Sequence, residues 1–357
     1  MIAAFENAVA EAVCRDTRAL ALPSATTALI TAMRALGIGP GSTIGVPSLD
    51  WTATAAAARA VGASTSPLPV TRDTGLLDTA YLGRCAASTE GLAAVVAVHL
   101  HGLTCDIPAL RRANPKLTVL EDAAQAWGAR YPNGEQVVSV GHACAFSFGV
   151  TKSPSAGELG CLVTRTEQVH KEAVALTQHP TRQLLSGIGN PRRDQPMARV
   201  APVVALLGAH AIHRHAAQSA SLRRAGMDIA GRLYDLGISV LTDPALHAPG
   251  ILAVRADPEI TRQALTWIPL GESTVIASVD PADLQVHPDA ASDRFLHDLA
   301  RAITVITINL TRWTGSPARR AIRFPPVAHV RRFAGVCHSP AGIPGRHERG
   351  GTSYKTG

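Results

Sequence analysis

Roughly the first two hundred residues of this chain alternate short β-branched runs with alanine-rich runs of helical period. That alternation is the pattern of an α/β domain built on a mainly parallel sheet. Residues 24–36 show the helical half: Leu29, Met33 and Leu36 recur at helical spacing, Gly37 stops the run, and Ser24 and Thr26 stand where an N-terminal cap belongs. Gly45-Val46-Pro47-Ser48 reads as a strand ending at Trp51, followed by the helical TATAAAARAVG closed by Gly62. Leu92 to Leu100 and Leu117 to Leu120 read as buried strands. The second delivers Asp122 to the carboxyl end of the sheet, where α/β proteins bind ligands.

Composition removes several classes of function. With 357 residues, 46% hydrophobic and 17% charged, the chain can bury a substantial core, in two domains. Its apolar stretches are broken well before the roughly 18 residues of a membrane span, so no transmembrane helix is expected. The N-terminal segment carries Glu6 and Glu11 and no basic leader, which points to the cytoplasm. The 6 cysteines form no CxxC pair and are expected as reduced thiols in apolar surroundings. The formal charge of +7 raises the question of nucleic acid. Much of the excess is local, however: 8 arginines between Arg312 and Arg349 stand against the single acid Glu348. Neither a nucleic-acid nor a membrane partner is expected.

The residues that carry chemistry lie in the α/β half. A helix beginning at residues 24–26 leaves backbone N–H groups without acceptors at the positive end of the helix dipole, which suits an anion. His99-Leu100-His101-Gly102 presents an HxH pair, but zinc needs further ligands at suitable spacing and none is near, so no metal is expected. Asp122 stands at a strand end, and Lys152 follows the next strand in the turn-rich loop Ser153-Pro154-Ser155-Ala156-Gly157, 5 residues after Ser147. Each also has an ordinary reading: a capped helix, an aspartate capping the helix that follows it, a tryptophan plugging the sheet edge, a solvated lysine.

The runs EDAAQAWGA (121–129) and AFSFGVTKSPSAGELG (145–160), with PSATTALITAMRALGIGPGSTIGVPSLDWTATA (23–55) and AVVAVHLHG (94–102) upstream, weigh against those ordinary readings. In order and rough spacing they resemble the DegT/DnrJ/EryC1/StrS aminotransferases, and the resemblance covers about 14–200. It implies α/β architecture of the PLP-dependent transferase fold type I. In that fold a large mainly parallel-sheet domain with helices on both faces is joined by a smaller C-terminal α+β domain. The expected division is 1–215, 216–335 and a disordered tail from 336 to 357, rich in Gly, Pro and polar residues.

The resemblance further implies pyridoxal 5′-phosphate (PLP) as cofactor and gives residues their parts. Lys152 would hold the aldehyde as an internal aldimine and, once released, move a proton between the substrate carbon and the cofactor. Asp122 would face the pyridine nitrogen, its ionised form stabilised by the ring's positive charge. Trp51 would stack on the ring and Gln125 approach its hydroxyl. Ala25, Thr26 and Ser147 would bind the phosphate, and Asn190 would reach the phosphate of a partner subunit, making an obligate homodimer with shared active sites.

L-Glutamate or L-glutamine would be the amino donor. The acceptor would be a nucleotide-linked keto-sugar, a cyclitol ketone or another secondary-metabolite ketone. Lys152 in place of the histidine of the dehydrating branch argues for transamination. A different PLP reaction on the same fold, or a non-catalytic relative that binds PLP or an amino-sugar, stands as the alternative. The chain departs from the family pattern at Ala25, where glycine is usual, at His101 for tyrosine, at Trp127, at Leu159 and at Pro191.

Overall fold

Successive side chains of a strand point to opposite faces of its sheet, and here both faces are apolar. In strand β5 (Ala94–Val98), Ala94, Val96 and Val98 enter one core cluster while Val95 and Ala97 enter the other. Strand β1 (Arg18–Leu22) divides likewise, with Leu20 and Leu22 to one side and Ala19 and Ala21 to the opposite side. A sheet buried on both faces needs helices on both, and it has them.

The computed structural model describes residues 1–84, 90–137, 141–235, 237–255, 275–279, 285–286, 294 and 303–309. They lie within one unit, Met1–Thr314. The arginine-rich stretch from 312 and the expected tail from 336 fall outside the described residues.

The main sheet has 7 strands in the order β1-β8-β7-β6-β5-β2-β4. The remaining strands are β2 (Thr43–Pro47), β4 (Ser64–Leu68), β6 (Val119–Asp122), β7 (Ala143–Ser147) and β8 (Gly160–Thr164). Pairings from β4 through β7 are parallel, and β8 alone runs against its neighbours β7 and β1. Helices α2 (Ala25–Ala35), α3 (Ala53–Ala60) and α6 (Glu167–Thr177) cover one face. The other is covered by α1 (Ile2–Val13), α5 (Ile107–Ala113) and the 34-residue helix α8 (Pro202–Asp235). Short helices α4 (Thr79–Arg84) and α7 (Pro180–Leu185) complete this half.

The expected helix at 24–36 is α2, ended by Gly37 in the left-handed conformation (φ 75°) that glycine tolerates. The strand expected to run to Trp51 instead ends at Pro47. A separate piece, β3 (Leu49–Asp50), pairs antiparallel with the distant β12 (Gln285–Val286), so the chain leaves the main sheet before it reaches the tryptophan.

Beyond α8 a second, 4-stranded sheet has the order β11-β13-β10-β9, all antiparallel. Its strands are β9 (Ser239–Val240), β10 (Ile251–Arg255), β11 (Val275–Val279) and β13 (Ile303–Asn309). Arg223 of α8 fastens this region to the first: its Nη1 donates to the carbonyls of Pro244, Ala245 and His247 at 2.7, 2.9 and 3.0 Å, and its Nη2 donates to Gly128 at 2.9 Å. The 215/216 division falls inside α8, which runs on to pack against β9. No helix among the described residues is long and apolar enough to cross a membrane.

Candidate active site

The carboxyl ends of β5, β6 and β7 open into a cavity of about 420 Å³. Its lining includes seven of the eight expected residues: Ala25, Thr26, Trp51, Asp122, Gln125, Ser147 and Lys152. Asn190 is exposed and does not line it.

At one end the wall is the first turn of α2. Ser24 caps it, its Oγ accepting the Thr27 N–H at 3.1 Å, and Ala25 and Thr26 follow at the cavity surface. First-turn amides have no helical acceptor, so a cavity against them meets N–H donors and the positive end of the dipole. Ser147 ends β7 beside this turn and its Oγ accepts the Gly149 N–H at 3.3 Å. Gly160 was not singled out in the sequence, yet it makes this end possible. A Cβ there would lie 2.1 Å from the Ser24 carbonyl carbon and 2.5 Å from the Ala25 nitrogen, so only glycine lets β8 pass under the helix start.

The opposite end is acidic and buried. Asp122, 6% exposed, accepts the Ala124 N–H at 3.0 Å and the Thr54 hydroxyl at 3.4 Å. It closes a turn rather than capping a helix, so Gln125 sits in that turn and not one helical turn further on. Gln125 Oε1 accepts the His101 N–H at 2.7 Å, which fixes its amide. Burial raises the Asp122 carboxyl above the usual range, and the Ala124 N–H, Lys152 and His99 hold it back. Burial lowers the Lys152 ammonium, opposed by the charge of Asp122. A lysine displaced in this direction supplies more of the neutral, nucleophilic amine near neutral pH.

Trp51 is 46% exposed at the cavity mouth. Trp127 is buried, edge-on to Phe146 and Phe148 with ring centroids 5.0 and 5.1 Å apart, and braces the cavity floor. His99 is wholly buried: its Nδ1 accepts the Cys105 N–H at 3.2 Å, leaving Nε2 to donate to Glu121 Oε2 at 3.2 Å. The Tyr131 hydroxyl and the Gly141 N–H also donate to Glu121. His99 thus belongs to a hydrogen-bonded strand-end network. His101 adopts left-handed φ 59°, is buried with Nε2 unpartnered among the described residues, and is pushed by burial to a pKa of about 3. Two arginines are held in ion pairs: Arg182 donates to both Glu6 oxygens at 2.7 Å, and Arg192 donates to Glu172 at 2.6 Å.

The architecture is that of the PLP-dependent transferase fold type I, with a large and a small sheet and a cavity at the strand ends. The model of the DegT/DnrJ/EryC1/StrS aminotransferase family matches residues 1–190, and the chain belongs to that family. It is 39% identical over 159 residues to the UDP-N-acetyl-3-dehydro-alpha-D-glucosamine 3-aminotransferase of Acidithiobacillus ferrooxidans, covering 44% of this chain and 42% of the relative. It is 31% identical over 252 residues to the dTDP-3-amino-3,4,6-trideoxy-alpha-D-glucose transaminase of Streptomyces venezuelae, 69% of this chain and 65% of the relative. The chain therefore spans less than two thirds of the length of these relatives. A Streptococcus pneumoniae chain solved in its PLP form superposes with TM-score 0.68 at 20% identity, covering 85% of each, and shows the fold.

Proposed function

We propose that the chain is a PLP-dependent aminotransferase that moves an amino group from L-glutamate or L-glutamine to a ketone, a nucleotide-linked keto-sugar, cyclitol or related secondary-metabolite precursor. One observation carries this: a single cavity gathers a partly buried amine, a buried carboxylate and the first turn of a helix, with an indole at its mouth. Those are the groups a pyridine ring bearing an aldehyde and a phosphate requires. When bound, the cofactor supplies an electron sink next to the substrate's reacting carbon.

The protein's own groups do the rest. Ala25, Thr26 and Ser147 would hold the phosphate through amides and a hydroxyl. Asp122 would stay ionised against the ring nitrogen, and Trp51 would cover the ring face and exclude water. Gln125 would orient the ring edge. Lys152 would anchor the aldehyde through Nζ and, when freed, carry the proton to and from the substrate carbon. The division into a large domain (1–215) and a small one (216–335) is part of this reading, with the cavity floor reaching Ile251 of the second sheet.

We also infer a homodimer that completes each site with Asn190. The single chain leaves Leu184 and Leu185 of α7 and Val203, Leu206 and Leu207 of α8 exposed at 50–85%, apolar area that a second copy would cover. Light scattering at working concentration tests it, and a monomer that still turns over would end it.

The decisive experiment adds PLP, removes the excess and records the absorption spectrum of wild type and Lys152→Ala, then adds each donor. Wild type should retain a visible band that the variant lacks and that glutamate or glutamine removes. A wild type that retains no cofactor would overturn the reading; retention without response to any amino donor would favour the non-catalytic alternative.

A further inference from the structure

The mechanism above uses one buried carboxyl, but the cavity wall carries two. Asp50 closes β3, is 8% exposed and lines the same cavity as Asp122 and Lys152. Its Oδ1 accepts the Trp51 N–H at 2.6 Å, while its Oδ2 is buried with no hydrogen-bond partner among the described residues. An ionised carboxylate in that position would bury an uncompensated charge, which proteins avoid by neutralising the group.

No cation among the described residues acts on Asp50 as a partner of its own. Among the described residues the titratable groups on this cavity wall are Asp122 from β6, His99 after β5, and Lys152 and Glu158 between β7 and β8. Of these, only Asp122 acts appreciably on Asp50, and it repels a second negative charge. From α3 comes the neutral Thr54 hydroxyl, and β12 pairs with β3 in a register that puts Gln285 opposite Asp50. Burial first and Asp122 second therefore push the Asp50 carboxyl well above the usual range, only partly offset by Thr54 and the Trp51 N–H. The two acids differ in support: both Asp122 oxygens have donors, and Asp122 has Lys152 as a counter-charge.

We propose that Asp50 is a positioning residue held as the neutral acid, so that the Asp50/Asp122 pair carries one negative charge and Asp50 Oδ2–H offers a donor to an acceptor atom of the molecule bound against Asp122. This rests on the reading that Asp122 meets the PLP ring. The proton on Asp50 keeps the charge on Asp122, where a protonated ring nitrogen pairs with it, and spares the site a second carboxylate facing an anionic cofactor.

The test begins without added cofactor, so that it can fail independently of the PLP reading. At neutral pH the infrared spectrum of wild type should show a carboxylic-acid carbonyl stretch that Asp50→Asn abolishes and Asp122→Asn leaves. For an acid whose pKa is higher folded than unfolded, folding stability falls as pH rises from the ordinary 3.8 to the folded value. Asp50→Asn, isosteric with the protonated form, should gain on wild type through that window and hold a constant lead above it. With PLP added, Asp50→Leu, which has no donor, should retain the cofactor about tenfold less well than Asp50→Asn. An acid band absent from wild type, a band lost with Asp122 instead of Asp50, or parallel stability curves would each overturn the assignment. If Asp50→Asn does not fold, an acid band in wild type that persists in Asp122→Asn supports it, and its absence refutes it.

Discussion

The two ends of the cavity are made from different materials. The anion end is neutral and mostly backbone: the first turn of α2, one cap, the Ser147 hydroxyl, and the absence of a side chain at Gly160. The acidic end is made of side chains, Asp50 and Asp122, buried where their charge is expensive. An anion site made of amides would depend on where the chain runs more than on residue identity, so Ala25, where the resemblance gives glycine, would keep the backbone donor. A charge site made of carboxyls depends on residue identity, because a buried charge has no substitute of equal shape and equal field. The difference predicts opposite responses to mutation at the two ends.

The largest effect is expected at the acidic end. Asp122→Asn keeps shape and removes the charge, so steady-state turnover with glutamate and a keto acceptor should fall about 10²–10³-fold, the scale of a lost preorganised electrostatic contact. Attachment of PLP to Lys152 should survive. Turnover within a few-fold of wild type would show that the carboxylate is not used as a charge. At the anion end the sensitive position is one with no chemistry. In Gly160→Ala the new Cβ meets backbone at 2.1 Å, and backbone there has little room to yield. We expect a loss of about 1–3 kcal/mol in stability from overpacking, read as a lower Tm, together with weaker PLP retention as the helix start is displaced. A variant equal to wild type in both would mean that β8 and α2 are held less tightly than the contact requires.

Side-chain hydroxyls at the same end should matter less. Ser147→Ala removes one hydrogen bond to a charged phosphate and should weaken PLP retention by about tenfold, the scale of roughly 1.5 kcal/mol, with Tm of the cofactor-free protein unmoved. A fall in Tm of that protein would instead assign Ser147 to structure, through its bond to the Gly149 N–H.

The same contrast explains what could be read from the residues. The parallel sheet was legible because its strands are apolar on both faces and alternate with capped helices. Asp122 and Lys152 were singled out by the runs around them, which resemble the family's, and both line the cavity. Asp50 was not, since SLDW reads as the end of a strand, and only the structure shows the carboxyl buried on the cavity wall in a β3 that pairs with residues 285–286. Gly160 was hidden in a strand whose contact lies 136 residues earlier, at Ser24. The network of His99 and Glu121 was half visible: the histidines were noticed, but their partners Tyr131 and Cys105 arrive through loops.

The smallest predicted effect tests whether the anion end is backbone in fact. Ser24 Oγ accepts the Thr27 N–H at 3.1 Å and makes a second contact with the Thr27 hydroxyl at 3.0 Å, so its role lies within the helix. Ser24→Ala should cost about 1 kcal/mol, the usual value of an N-cap, and lower Tm by a few degrees. If the amides of Ala25 and Thr26 do the binding, PLP retention should fall by less than in Ser147→Ala, because the first turn is also pinned by β8 beneath it. A loss of retention larger than that of Ser147→Ala would mean that the Ser24 hydroxyl itself meets the anion. The contrast between a backbone end and a side-chain end would then give way to one between hydroxyls and carboxyls.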